Sequence, residues 1–225
     1  MSTPATTTAS LETHLEFDAK NIRRAVLGGV LLAPESAPLI TTLVAASGQI
    51  KIPDVYESVG RLSDEGVSFT LDRSMQEVRG WGSSSVLRRD VESIDTDMSF
   101  GMLETKRKAY EVYHGLDLSG VQMSAAGEWK FTQPSQPVTK YWRAVALGAD
   151  GQGASRFYMA RVFGRVSLSE NEDEQWNNSD DAPKMFGVTL AADEDDEAGG
   201  PYSEYLFGPG ALAAAQRMGI TVASA

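Results

Sequence analysis

The sequence predicts a mainly β protein, a β-sandwich or β-barrel with short α-helices on its outside. Three observations carry that prediction. Apolar and polar residues alternate with a period of two along several stretches, the pattern of strands with one packed and one wet face. Clusters of Gly, Pro, Asp and Ser punctuate those stretches as turns do. Helical periodicity is confined to two short segments, which favours sheets packed on each other over a helical or alternating βα architecture. No repeat of fixed period is present.

Residues 1–10 are almost all Ser, Thr, Ala and Pro, and the stretch 1–20 reads as a flexible N-terminal arm. Residues 21–46 are apolar, with Pro34 and Pro38 interrupting any helix. The longest apolar run, 25–33, is far below the ~20 residues needed to span a bilayer. Arg23 and Arg24 precede it as in a signal peptide, but it starts late and follows Glu12, Glu16 and Asp18, so it reads as a buried strand. Residues 48–66 read as a long loop, a length often tied to function.

From Gly66 the alternation is clear. Val67, Phe69 and Leu71 share one face, and Ser68, Thr70 and Asp72 the other. A turn at 72–74 and a second strand at 75–81 are expected next. In the clearest strand, 94–103, Ile94, Met98, Phe100 and Met102 share a face opposite Asp95, Asp97 and Ser99. A helix over 105–114 follows, with Tyr110 and Tyr113 on its packing stripe and Gly115 to end it. Strands are expected at 140–147 and 157–168 around a turn at 149–153. In the second, Tyr158, Ala160, Val162, Val166 and Leu168 form an apolar face, with Arg161 and Arg165 opposite. A strand at 184–192 comes next, and Pro209 opens a short Ala-rich helix, 210–218, within a C-terminal arm 209–225. The body of the domain is therefore 21–208.

Charge narrows the function. The net charge is −11, and between Glu170 and Glu197 there are 11 acids against one base, Lys184. Nucleic-acid binding by counterion release needs clustered Lys and Arg, and the sequence shows the reverse. Cysteine is absent, which removes disulfides, thiolate metal sites and thiol nucleophiles. The acidic stretches lack the alternating ligands and central glycine of a calcium loop, so they read as solvated loops. No phosphate-binding signature surrounds Gly151 and Gly153. Residues 82–85 lack the spacing of a nucleophile elbow. Of the two histidines, His14 lies in the polar arm and His114 at a helix C-terminus, where a partial positive charge is welcome. No catalytic, cofactor-binding or metal-binding set is expected, and no membrane segment.

Several stretches, in order, resemble the major tail tube proteins of siphophages that infect actinobacteria. They are Tyr56-Glu-Ser-Val-Gly-Arg-Leu-Ser-Asp-Glu-Gly-Val-Ser-Phe69, Gln76-Glu-Val-Arg-Gly-Trp-Gly82, Arg88-Arg-Asp-Val-Glu-Ser93, Met98-Ser-Phe100, Glu104-Thr-Lys106 and Tyr110-Glu-Val-Tyr-His-Gly115. The resemblance covers 21–118 well and continues more loosely to the acidic segment 170–197, which departs from the family core. It implies a two-sheet β-sandwich with a flanking helix, hexameric rings whose sheets join edge to edge into a continuous barrel, and stacking of rings into a hollow virion tube. The partners it implies are further copies of the chain, the tape measure protein, the tail terminator and the distal tail and tip proteins. The resemblance also implies that double-stranded DNA passes through without specific binding and that assembly takes place in the host cytoplasm. On this view Asp95, Asp97 and Ser99 face the lumen, although the same face is equally compatible with the exterior or with cover by a neighbour. Ile52, Pro53, Val55 and Tyr56, in the 48–66 loop, are the expected inter-ring contacts. The alternatives are a related ring protein (a tail terminator or a contractile-system tube) and a β-sandwich module that binds the host surface.

Overall fold

The structure, a computed structural model, describes Leu11, Leu15 and residues 17–176 and 183–223. Most of the expected arm 1–20 lies outside the described residues. The elements run β1 (Leu27–Pro34), β2 (Glu57–Ser58), β3 (Leu62–Arg79), β4 (Val86–Met102), α1 (Arg107–His114), β5 (Tyr141–Asp150), β6 (Phe157–Asn171), β7 (Phe186–Asp193), β8 (Tyr202–Phe207) and α2 (Pro209–Ala214). The mainly β fold expected from the sequence is what forms. The strands make one antiparallel sheet in the order β2-β1-β5-β6-β7-β4-β3, with β8 added beside β6.

That single sheet works as two layers because β6 changes its neighbour part-way along. Its first half, Tyr158 to Phe163, pairs with β8, and its second half, Arg165 to Asn171, pairs with β7. Between the halves, Trp142 pairs with Val166 but Ala144 with Phe163, so β6 carries an extra residue there. A bulge of this kind bends the strand and reverses which side chains face inward. The sheet therefore curls around one core, in which Val30, Leu32, Met98, Phe100, Trp142, Phe163, Val166, Phe186 and Leu190 pack together. Phe163 and Phe186 are fully buried, each contributing about 2–3 kcal/mol of transfer free energy.

The other face of β1, β5 and the first half of β6 is covered by the irregular stretch 35–56. Ala37, Ile40, Leu43 and Tyr56 from that stretch close over Val145, Ala160, Val162 and Phe207 to make a second core. Helix α1 caps the first core with Ala109 and Val112. It begins at Arg107, two residues later than expected, because Lys106 is extended and serves as its N-cap. Gly115 ends it as expected, in the left-handed conformation (φ 63°) that favours glycine.

Several expectations change. No turn forms at 72–74: β4 opposes Ser74 and Met75 with Ser93 and Val91, so a bulge on β4 absorbs the irregularity and β3 continues to Arg79. The 48–66 loop is shorter than expected, since it contains β2 and the start of β3. The signal that misled is Gly66, which sits with φ 72° at a register shift inside the strand. The single apolar face expected for 158–168 is split by the β6 bulge, with Ala160 and Val162 in the second core and Val166 and Leu168 in the first. The short strand β8 has no counterpart in the sequence reading. The C-terminal helix ends at Ala214, and Ala211 and Ala214 pack on Phe157 of the body.

Candidate assembly surfaces

Cross-strand partners share a face, which lets the outer surface of the second layer be read residue by residue. Thr70, Asp72, Asp95, Asp97, Ser99, Thr189, Ala191 and Ser167 all lie on the face turned away from the first core. This surface is polar and acidic with small side chains, and Ala191 is its main apolar member. The predicted trio Asp95, Asp97 and Ser99 is thus brought together at its centre. Ser99 and Thr189 share a hydrogen bond of 2.9 Å between their hydroxyls. Partial burial, with Asp95 and Glu170 nearby, holds the Asp97 carboxyl above the usual range.

The four residues expected at inter-ring contacts separate. Val55 is exposed, and Ile52 and Pro53 are half-buried. Tyr56 is buried in the second core, where its hydroxyl donates to the Pro38 carbonyl oxygen at 3.0 Å. Desolvation there raises its pKa, and its side chain offers no surface to a neighbour in the single chain.

Sequence reasoning missed the largest exposed feature. β3 and β4 form a hairpin far longer than the sheet behind it, because β7 pairs with β4 only from Thr96 to Met102. Trp81, at the hairpin tip, is fully exposed. β3 pairs with β4 alone among the described strands, so its outer edge presents unpaired backbone groups. The alternation 67–71 and the later run 75–81 carried this signal, but the glycine at 66 and the polar 72–74 broke it into pieces.

The acidic segment 170–197 is dispersed rather than continuous. It supplies the end of β6, all of β7, and the start of the turn that follows β7, while 177–182 lie outside the described residues. Glu197 pairs with Arg143 at 2.5 Å, and Arg165 pairs with Glu35 at 3.2 Å. Glu174 pairs with Lys184 at 2.7 Å, which ties the two flanks of the undescribed stretch together over α1.

His114 lies against Tyr110, Tyr113 and Phe131. Burial lowers its pKa, the Lys184 charge adds to this, and Glu174 opposes it. Ser83 closes its own turn by donating to the Ser85 carbonyl oxygen. Gly151 and Gly153 belong to the tight connection between β5 and β6. No helix among the described residues is long and apolar enough to cross a membrane.

Residues 16–203 match the family model described as phage tail tube protein. The chain belongs to that family. As a phage tail tube protein it is a structural component of the virion tail, and its role there is association with other copies and tail components. A chain from a cryo-EM structure of the anti-feeding prophage baseplate, 6-fold symmetrised, is similar at 10% identity with a TM-score of 0.39, over 93% of this chain and 99% of that one. No curated protein matches the sequence.

Proposed function

We propose that this protein is the main tube subunit of a siphophage tail, from a phage of an actinobacterial host. Copies assemble into hexameric rings, and the rings stack into a hollow tube. The tube encloses the tape measure protein during assembly in the host cytoplasm and later conducts DNA. The observation that carries this reading is the Asp95–Asp97–Ser99 face. It is a broad sheet surface of small, polar and acidic side chains, bounded by the unpaired edge of β3. A surface of that kind is poor at gripping a duplex, because it releases no counterions from DNA, and its free edge is suited to joining a neighbour's sheet. Asp95, Asp97 and Ser99 then face the lumen. Val55, with Ile52 and Pro53 beside it, stands at the ring surface.

Negative-stain microscopy of the purified protein over a range of concentrations tests the reading. Six-fold rings and hollow filaments are expected. Single rings that never stack would indicate a terminator, and a monomer at every concentration would refute the tube assignment.

A further inference from the structure

The β3–β4 hairpin outruns the body, and its two faces differ. Beyond the last β7 contact, residues 72–79 and 86–95 continue as a two-stranded ribbon. At about 3.3 Å per residue it reaches roughly 30 Å. One face is the polar surface described above, continued by Ser74, Ser93, Gln76 and Asp90. The other continues the first core outward from Phe69 and Met98. There Met75 lies opposite Val91, Ile94 opposite Arg73 and Leu71 opposite Thr96, and Leu71, Met75, Val91 and Ile94 are exposed by 51%, 42%, 52% and 46%. A two-stranded ribbon alone is marginally stable in water, and four large apolar side chains exposed together on one face, with Arg73 among them and the Glu77–Arg89 pair beyond, mark a contact surface.

The same molecule carries a surface that fits the strip. At the root of the ribbon lies an open cleft of about 710 Å³, lined by Val26, Leu27, Leu62, Phe69, Leu147 and Met159. Val26 and Leu27 are mostly exposed. Arg73, on the same face opposite Ile94, makes no ion pair among the described residues, and the cleft presents both Asp64 and Arg61, which are likewise without one. A ribbon cannot fill the cleft at its own root. Phe69 is part of the cleft wall, and Met75 lies about 20 Å further along the same continuous strand. A second copy has no such restriction. Ribbon onto cleft is moreover a heterologous contact, which propagates in one direction instead of closing into a dimer.

We propose that the Leu71–Met75–Val91–Ile94 face of one copy seats in the Leu27–Phe69 cleft of a second copy in the adjacent ring. This rests on the tube reading above. The chain contains no cysteine, so paired substitutions report the contact directly. Assembled Leu27→Cys/Met75→Cys protein, oxidised and run without reductant, gives a ladder of linked copies that collapses on reduction. Leu27→Cys/Gln76→Cys, whose second cysteine is on the polar face, gives no ladder. Met75→Asp, whose exposed site lets the monomer fold as before by circular dichroism, raises the concentration needed for tubes by at least about tenfold while rings persist. Tubes without a ladder from the Met75 pair, equal ladders from both pairs, or full-length Met75→Asp tubes at the wild-type concentration would overturn the contact and leave the tube assignment standing. A wild-type protein that forms neither rings nor tubes would remove both.

Discussion

Helix α1 has only eight residues, too few to be stable alone in water, and a buried charge network anchors it. Glu111 is 1% exposed and Lys108 7%. Glu111 accepts from Arg107, from the Lys108 ammonium at 2.7 Å and from the Leu118 N–H at 3.2 Å. Glu57, on β2, pairs with Arg107 at 2.7 Å and approaches Lys108 at 3.6 Å. Glu111→Gln keeps the shape and an acceptor for Leu118 but removes the charge. The Lys108 ammonium then remains buried with only the longer Glu57 contact. Breaking a buried pair from one side costs about 3–5 kcal/mol, a large part of the roughly 5–15 kcal/mol that holds a domain together. At about 2–4 °C per kcal/mol for a chain of this size, Tm falls by about 6–20 °C. Circular dichroism during heating, at a concentration below that of assembly, measures it. Lys108→Met/Glu111→Leu, which removes both charges, recovers most of the loss because no ion is left unpaired. A Glu111→Gln protein within about 1 kcal/mol of wild type, or a double variant weaker than the single one, would show that the network is not what anchors α1.

Two further predictions concern pH. Burial among aromatic rings, helped by Lys184, lowers the His114 pKa. The stability this neutral ring contributes is complete above about pH 6.5 and is lost as pH falls through that value toward the lowered one. Urea midpoints at pH 7.5 and 5 should therefore differ more for wild type than for His114→Phe, and equal differences would refute the assignment. Asp97 has the opposite sign: burial, then Asp95 and Glu170, raise its pKa, so its ionised form opposes folding. Asp97→Asn should stabilise the monomer at pH 7, with the gain vanishing below about pH 4. A destabilised variant at pH 7 would refute that account.

The sequence shows most clearly the features that depend on near neighbours. The α1 stop at Gly115 and the inward face Met98, Phe100, Met102 depend on local periodicity and a single left-handed glycine and are where the sequence places them, whereas Ile94, expected on that same packed face, is exposed because β7 does not extend that far along β4. What the sequence hides comes from pairing at a distance. The bulge in β6 is fixed by the alignment of Trp142 and Ala144 against it, so no local pattern announces that Val162 and Val166 serve different cores. Tyr56 looks like a surface aromatic in a polar loop, and only the return of the 35–56 stretch over β5 makes it a core residue. By its local pattern β3 alone reads as two strands on either side of a turn at 72–74. Its continuity depends on a bulge in the opposite strand, which a reading of β3 alone cannot contain.

The acidic face bears on why the monomer is built this way. Asp72 stands directly opposite Asp95, with Asp97 beside them on the same face. Like charges placed across a strand pair destabilise it, and here they sit at the root of a ribbon that has little stability to spare. A sheet shaped only by folding would place Thr, Ser or an opposite charge at such positions, as it does at Ser74 and Ser93 further out. The arrangement becomes intelligible if the two faces answer to different needs. In the proposed tube, contacts made by the apolar face in the next ring offset the instability of the ribbon, while the acids keep the channel wall from holding DNA. The monomer is then an incomplete fold that reaches full stability only when a neighbour covers its hairpin.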